Sequence, residues 1–97
     1  MKRPVIIRLR AEADLQAARQ WYEERREGLG VEFVLAARRA IRVLRANPER
    51  QPIYYRDFRR VLLRRFPYKL FYRIESERII VFRVLHTKQD HRFWLPE

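Results

Sequence analysis

The sequence predicts an α+β domain in which an antiparallel helical hairpin covers one face of a small, mostly antiparallel sheet. Two observations support this prediction. Apolar residues recur every three to four positions between residues 12 and 47, and they alternate or run together between residues 58 and 86. The predicted order is β-α-α-β-β-β, and the length of 97 residues suits a single domain over residues 1–97.

The spacing of apolar residues changes between the first predicted strand and the first predicted helix. Residues 5–9 alternate in the manner of a short strand, and from Glu12 the apolar residues return at helical spacing. Gly28 suits the left-handed residue that commonly ends a helix. The face that this helix buries is predicted to comprise Leu15, Ala18, Trp21 and Tyr22.

The second helix is predicted to begin after "GLG" (28–30) and to end at Asn47, because Pro48 cannot continue it. So short a link between two helices requires an antiparallel hairpin. The buried face of the second helix is predicted to comprise Phe33, Val34, Ala37, Ile41 and Leu44.

Three strands are predicted in the remainder, over residues 58–66, 68–74 and 78–86, with a hairpin turn at "ESE" (75–77). An odd number of unpaired turn residues would place Tyr72 on one face with Ile80 and Phe82. Phe71 would then lie on a solvent face whose other members are Lys69, Arg73 and Arg83. This register is expected because an even-length turn would bury cations.

The charge of the chain is concentrated after residue 35. Residues 1–35 carry seven cations and six acids, whereas residues 36–97 carry sixteen cations and six acids, which is +10 of the total +11. Twenty of the 23 cations are arginine, whose planar fork pairs with phosphate or carboxylate. A polyanion or an acidic protein segment is therefore the predicted kind of partner.

Several functional classes are excluded or disfavoured by composition. The absence of cysteine excludes disulfides, thiolate catalysis and cysteine-type zinc sites, and two histidines are few for a metal site, so no cofactor is predicted. No stretch is apolar enough for a membrane helix, and residues 1–10 lack the apolar region of a signal peptide. A cytoplasmic protein without a membrane partner is expected.

Three stretches, "AEADLQAARQWYEERREGLGVEF", "RRFPYKLFYRI" and "IIVFRVLHTKQD", together with the proline after the second helix, resemble the RelE/ParE superfamily. These are the plasmid stabilisation toxins of type II toxin–antitoxin modules, and the resemblance runs from Leu9 to Trp94. It implies a growth-inhibiting toxin that is neutralised by an antitoxin encoded beside it. RelE-like members cleave mRNA in the ribosome, whereas ParE-like members are regarded as DNA gyrase inhibitors without known catalysis.

A ParE-like function is favoured because the chain departs from the nuclease pattern. The RelE-like nucleases place an arginine in the third strand after an aromatic residue, where this chain has Lys69. They also carry a basic residue after the last strand, where Gln89 follows Lys88. A RelE-like, metal-independent endoribonuclease is the alternative, and a non-toxic basic nucleic-acid-binding module is a third. If the chain is a nuclease, its predicted catalytic residues are Lys69, Arg83, Lys88 and His91.

An anionic ligand is expected at the arginines of the sheet. An acidic antitoxin is expected along the helical hairpin or the sheet edge, where it would engage arginines of the sheet and cover the aromatic tail. Four arginines within residues 59–65 create a stronger local field than solubility requires, and two large aromatics near the C-terminus must either pack back or meet a partner. The predicted anion- or partner-binding residues are Arg59, Arg60, Arg64, Arg65, Arg73, Phe93 and Trp94. His86 is expected to end its strand with a ring nitrogen hydrogen-bonded to backbone.

Overall fold

The computed structural model describes residues 3–89, 94 and 95, which form five strands and two helices. The elements are β1 (Val5–Ile7), α1 (Leu9–Arg25), α2 (Leu29–Ala46), β2 (Ile53–Tyr55), β3 (Phe58–Leu62), β4 (Tyr68–Glu75) and β5 (Arg78–His86). The strands form one sheet in the order β1-β5-β4-β3-β2, in which only β1 and β5 are parallel. The predicted α+β class, with a helical hairpin on a mostly antiparallel sheet, is confirmed.

Two element boundaries and one strand differ from the prediction. β2 was not predicted, because a three-residue edge strand with mostly exposed side chains carries no alternation of apolar and polar residues. The first strand ends before Arg8, whose extended backbone precedes the first helical residue, Leu9. β3 ends at Leu62 rather than at residue 66.

The turn between the helices depends on two glycines and one glutamate. Gly28 has a φ of +86°, in the left-handed region that suits glycine. The carboxylate of Glu23 accepts hydrogen bonds from the amides of Gly28 and Gly30, each over 3.0 Å, and so satisfies amides at the start of α2. A Cβ at Gly30 would lie 2.8 Å from the carbonyl oxygen of Arg19, so glycine there permits the close approach of the helices. Neither described helix has the length and apolarity that a membrane crossing requires.

The helices and one face of the sheet enclose the first core. Of the predicted face of α2, Phe33, Ala37 and Leu44 are buried, whereas Val34 and Ile41 are only half-buried. Tyr22 of α1 stacks on Phe33 with ring centres 5.4 Å apart, but Trp21 is 48% exposed, because successive helical residues point about 100° apart. The largest fully buried side chains of this core are Phe33, Leu44, Leu63, Leu70, Tyr72, Ile79, Val81 and Val84.

The opposite face of the sheet carries a second core where a solvent face was predicted. The turn between β4 and β5 has two unpaired residues, because Glu75 pairs with Arg78. Tyr72 is therefore aligned with Val81, and the prediction that it shares a face with Ile80 is wrong. Phe71 is fully buried. The second core consists of Phe58, Phe71, Ile80, Phe82, Leu85 and Leu95.

A β-bulge at Phe82 shifts the register by one residue. Phe71 pairs with Arg83, whereas the next residue, Tyr72, pairs with Val81, so Phe82 has no partner in the ladder. In a regular strand every second residue faces the same side, but here Val81 and Val84, which are three positions apart, both lie in the first core. The bulge thus brings Phe82 and Arg83 to the same side of the sheet.

Candidate partner-binding surfaces

Arg83 is the only charged residue that is buried in the described part of the chain, at 9% exposure. Its Nε donates to Oδ2 of Asp14 over 2.7 Å, and its Nη2 donates to Oδ1 over 2.8 Å. Oδ2 of Asp14 also accepts a hydrogen bond of 2.9 Å from the amide of Val84. Val84 follows Val81, the last residue of β5 that pairs with β1. Hydrogen bonding to Asp14 raises the pKa of Arg83. The guanidinium fork is therefore already occupied by a carboxylate.

Asp14 was not predicted as a site residue, because it lies 69 positions from Arg83 along the chain. A signal was nevertheless present in its position on α1. Ala11 lies three residues before Asp14, Ala18 lies four residues after it, and both are on the buried side of the helix. The adjacent Leu15 also packs against the core. A carboxylate on that side requires a buried cation or donor, and Arg83 supplies it.

Arg73 is also paired within the fold. Its Nη2 lies 2.6 Å from the carboxylate of Glu75 and its Nη1 lies 3.6 Å from that of Asp57. The guanidinium carbon is 5.3 Å from the ring centre of Phe58 and 4.8 Å from that of Phe82. Hydrogen bonding to Glu75 raises the pKa of Arg73 and lowers that of Glu75. Arg73 thus covers the second core while two carboxylates balance its charge.

Arg59 and Tyr72 hold the loop that leads from α2 to β2. The Nη1 of Arg59 donates to the carbonyl oxygens of Glu49, over 3.1 Å, and Gln51, over 2.5 Å. The hydroxyl of Tyr72 donates to the carbonyl oxygen of Pro48 over 2.7 Å. These contacts give Arg59 a structural role in addition to any role with a partner.

The remaining predicted arginines lie in different environments. The guanidinium carbon of Arg60 lies 3.6 Å from the ring centre of Tyr54. Arg65, with a φ of +74°, forms an ion pair of 3.0 Å with Glu32 on α2, and its hydrogen bond is the main cause that lowers the pKa of Glu32. Arg64 is exposed and has no partner within the described residues. Arg59, Arg65 and Arg73 are therefore already engaged by oxygen atoms of the fold.

The predicted nuclease residues that the structure describes contact different neighbours rather than one another. Lys69 lies on β4 beside the second core, where burial and then the charge of Arg60 lower its pKa. The amide of Lys88 donates to Nδ1 of His86 over 3.1 Å, which is the expected hydrogen bond between that ring and backbone. Among the described residues, no hydrogen bond joins Arg83 to Lys69 or Lys88. Two predicted site residues lie outside the described part of the chain, His91 and Phe93.

An apolar groove of about 540 Å³ runs along the helical hairpin, one of the two places expected for the antitoxin, although its lining by Leu9 was not predicted. Leu9 is 83% exposed at one end of this hairpin groove, which Val34 and Ile41 line from α2. Glu12 and Arg38 add charge to its lining. A groove with apolar walls and charged margins suits an amphipathic helix of a partner. Leu9 could have indicated this groove, but the alternation of residues 5–9 assigned it to the first strand.

Comparisons with known proteins show what this chain resembles. A family described as "ParE toxin of type II toxin-antitoxin system, parDE" matches residues 5–91. A solved structure described as "Chromosomal ParDE TA system from P. aeruginosa" superimposes with a TM-score of 0.75 and 20% sequence identity. The superposition covers 88% of this chain and 96% of that chain. A search of curated protein sequences finds no match.

Proposed function

Because the chain belongs to the ParE toxin family of type II toxin–antitoxin systems, we propose that it arrests growth by binding DNA gyrase. The family implies an antitoxin partner. The resemblance of the sequence to ParE-like rather than RelE-like toxins points to gyrase as the target. Inhibition of this kind requires a stable binding surface and no reaction catalysed by the toxin itself.

The observation that carries this proposal is the ion pair between Arg83 and Asp14. Cleavage of RNA without a metal requires cations that are free to stabilise the charge developing on the phosphate. Arg83 is buried, and both sides of its fork are bonded to a carboxylate. Lys69 supplies a point charge without a bidentate fork. This arrangement supports binding more strongly than it supports nuclease action.

A gyrase assay tests the proposal directly. The purified chain is added to gyrase, ATP and relaxed plasmid DNA, and we expect loss of supercoiled product or accumulation of cleaved plasmid. An unrelated basic protein of similar size and charge controls for non-specific binding to the DNA. Ribosomes carrying a defined mRNA are treated in parallel, and the mRNA should stay intact. Cleavage of that mRNA with gyrase left fully active would refute the proposal in favour of the nuclease alternative.

We further propose that the antitoxin places an amphipathic helix in the hairpin groove. Leu9, Val34 and Ile41 would receive its apolar side, and Arg38 would meet its acidic side chains. Exposed Val31 and Leu35 extend the apolar surface along α2. Of the two locations expected from the sequence, we favour the hairpin over the sheet edge, where Arg59 is bonded to loop carbonyls.

A further inference from the structure

A second groove, of about 500 Å³, lies on the side of the second core, away from the hairpin groove. It is formed where β1 passes into α1, against the bulged part of β5 and the residues at positions 94 and 95. We call it the Arg8 groove. Its lining includes Arg8, Arg10, Arg73, Phe82, Arg83 and Trp94.

The Arg8 groove has an excess of positive charge. Of its four arginines, Arg83 is paired with Asp14 and Arg73 with Glu75. Arg8 and Arg10 are exposed, and neither pairs with a carboxylate in the described part of the chain. Within the described residues the fold therefore compensates the two inner cations and leaves the two outer ones without a carboxylate partner.

Aromatic rings complete the Arg8 groove. The guanidinium carbon of Arg8 lies 4.9 Å from the ring centre of Phe82, whose ring also contacts Arg73 at 4.8 Å. Trp94 is 44% exposed, and its ring centre lies 5.3 Å from the guanidinium carbon of Arg83. Cations without a carboxylate partner beside an exposed indole are the combination with which proteins hold a single nucleic-acid strand, through its phosphates and one stacked base.

We infer that the Arg8 groove binds single-stranded DNA, with phosphates at Arg8 and Arg10 and one base against Trp94. An acidic peptide would use the arginines but would leave the indole without a planar partner. RNA is commonly distinguished by its 2′-hydroxyl, and the described lining has no hydroxyl, amide or carboxylate side chain that would favour RNA over DNA. The inference extends the proposed function, since gyrase acts on DNA, but it concerns the isolated chain.

Fluorescence anisotropy with a labelled oligothymidylate of about 12 nucleotides tests the two outer arginines. Replacing both, Arg8→Gln with Arg10→Gln, should weaken binding about tenfold and reduce the salt slope by about 1.4, since each lost contact removes about 0.7. The matched control, Arg39→Gln with Arg42→Gln, removes the same charge from the exposed side of α2 and should change affinity less than about threefold. Equal losses in both double variants would mean non-specific attraction and would overturn the inference.

Tryptophan fluorescence locates the strand, because the chain has two tryptophans. In a Trp21→Phe variant, oligothymidylate should quench the remaining Trp94, whereas in a Trp94→Phe variant it should leave Trp21 unchanged. Oligouridylate of equal length and poly-glutamate serve as competitors. Displacement of the DNA by either one at equal or lower concentration overturns the assignment to DNA, as does an absence of quenching at Trp94. Gyrase is absent from these measurements, so their outcome is independent of the gyrase assay.

Discussion

Replacing Asp14 by alanine removes one carboxylate from three hydrogen bonds, two with Arg83 and one with the Val84 amide. The side chains of the pair are only 10% and 14% exposed, so water cannot fully replace what is lost. Breaking a buried ion pair by removing one partner costs about 3–5 kcal/mol. Because both side chains keep some solvent contact, we expect a loss of about 3 kcal/mol in the free energy of unfolding.

Urea denaturation followed by circular dichroism measures this loss, with an unchanged slope as evidence that the folded state is intact. Arg83→Met combined with Asp14→Leu should cost less than Asp14→Ala alone, because no buried charge is then left without a partner. The control is Glu24→Ala, an exposed acid on the same helix, which should cost less than about 0.5 kcal/mol. If Asp14→Ala costs no more than this control, the ion pair is not a determinant of stability and the reasoning fails.

Three further predictions concern the helical hairpin and its groove. Gly30→Ala should lower the free energy of unfolding by about 1–3 kcal/mol, because the new methyl group meets the Arg19 carbonyl, and urea denaturation measures it. Hydrogen bonds from the amides of Gly28 and Gly30 lower the pKa of Glu23 in the folded state. The ionised Glu23 therefore stabilises the fold at a pH above its ordinary pKa of 4.5, and this stabilisation is lost as the pH falls through the lowered pKa of the folded state. Glu23→Gln should therefore flatten the acid limb of a plot of melting temperature against pH, and an unchanged limb would contradict this. Leu9→Gln should make the antitoxin dissociate about tenfold faster in a biosensor assay. The control is Leu62→Gln, the same substitution at another exposed leucine, which should leave the dissociation rate unchanged. Equal dissociation rates for the two variants would place the antitoxin elsewhere.

The helices could be read from the sequence because each buries a single face. Phe33 and Leu44 of α2 repeat at helical spacing, and the structure buries both. Gly28 was identified by its position after the last periodic residue, and its φ of +86° bears this out. Trp21 was assigned wrongly because its neighbour Tyr22 satisfies the same periodic pattern, and only packing decides between adjacent residues.

The sheet could be read only in part, because β5 is buried on both faces. A strand whose residues are apolar on both sides has no alternation from which to infer its register. Phe71 was therefore expected in solvent, although it lies in a second core that includes Leu95 from beyond the last strand. The pairing of Asp14 with Arg83 is equally invisible to local pattern, since it depends on how α1 crosses the edge of β5.

The position of β5 has a consequence for the synthesis of the toxin. β5 is the last of the described strands to be translated, yet it lies between β1 and β4 and contributes to both cores. The helical hairpin relies on contacts close in sequence and can form while the chain is still emerging, whereas β1 must wait for its partner. A ribosome that stops anywhere before residue 78 therefore releases a hairpin without the centre of its sheet. Because β5 completes both cores, the hairpin has no packed sheet behind it until residues 78–86 have been translated.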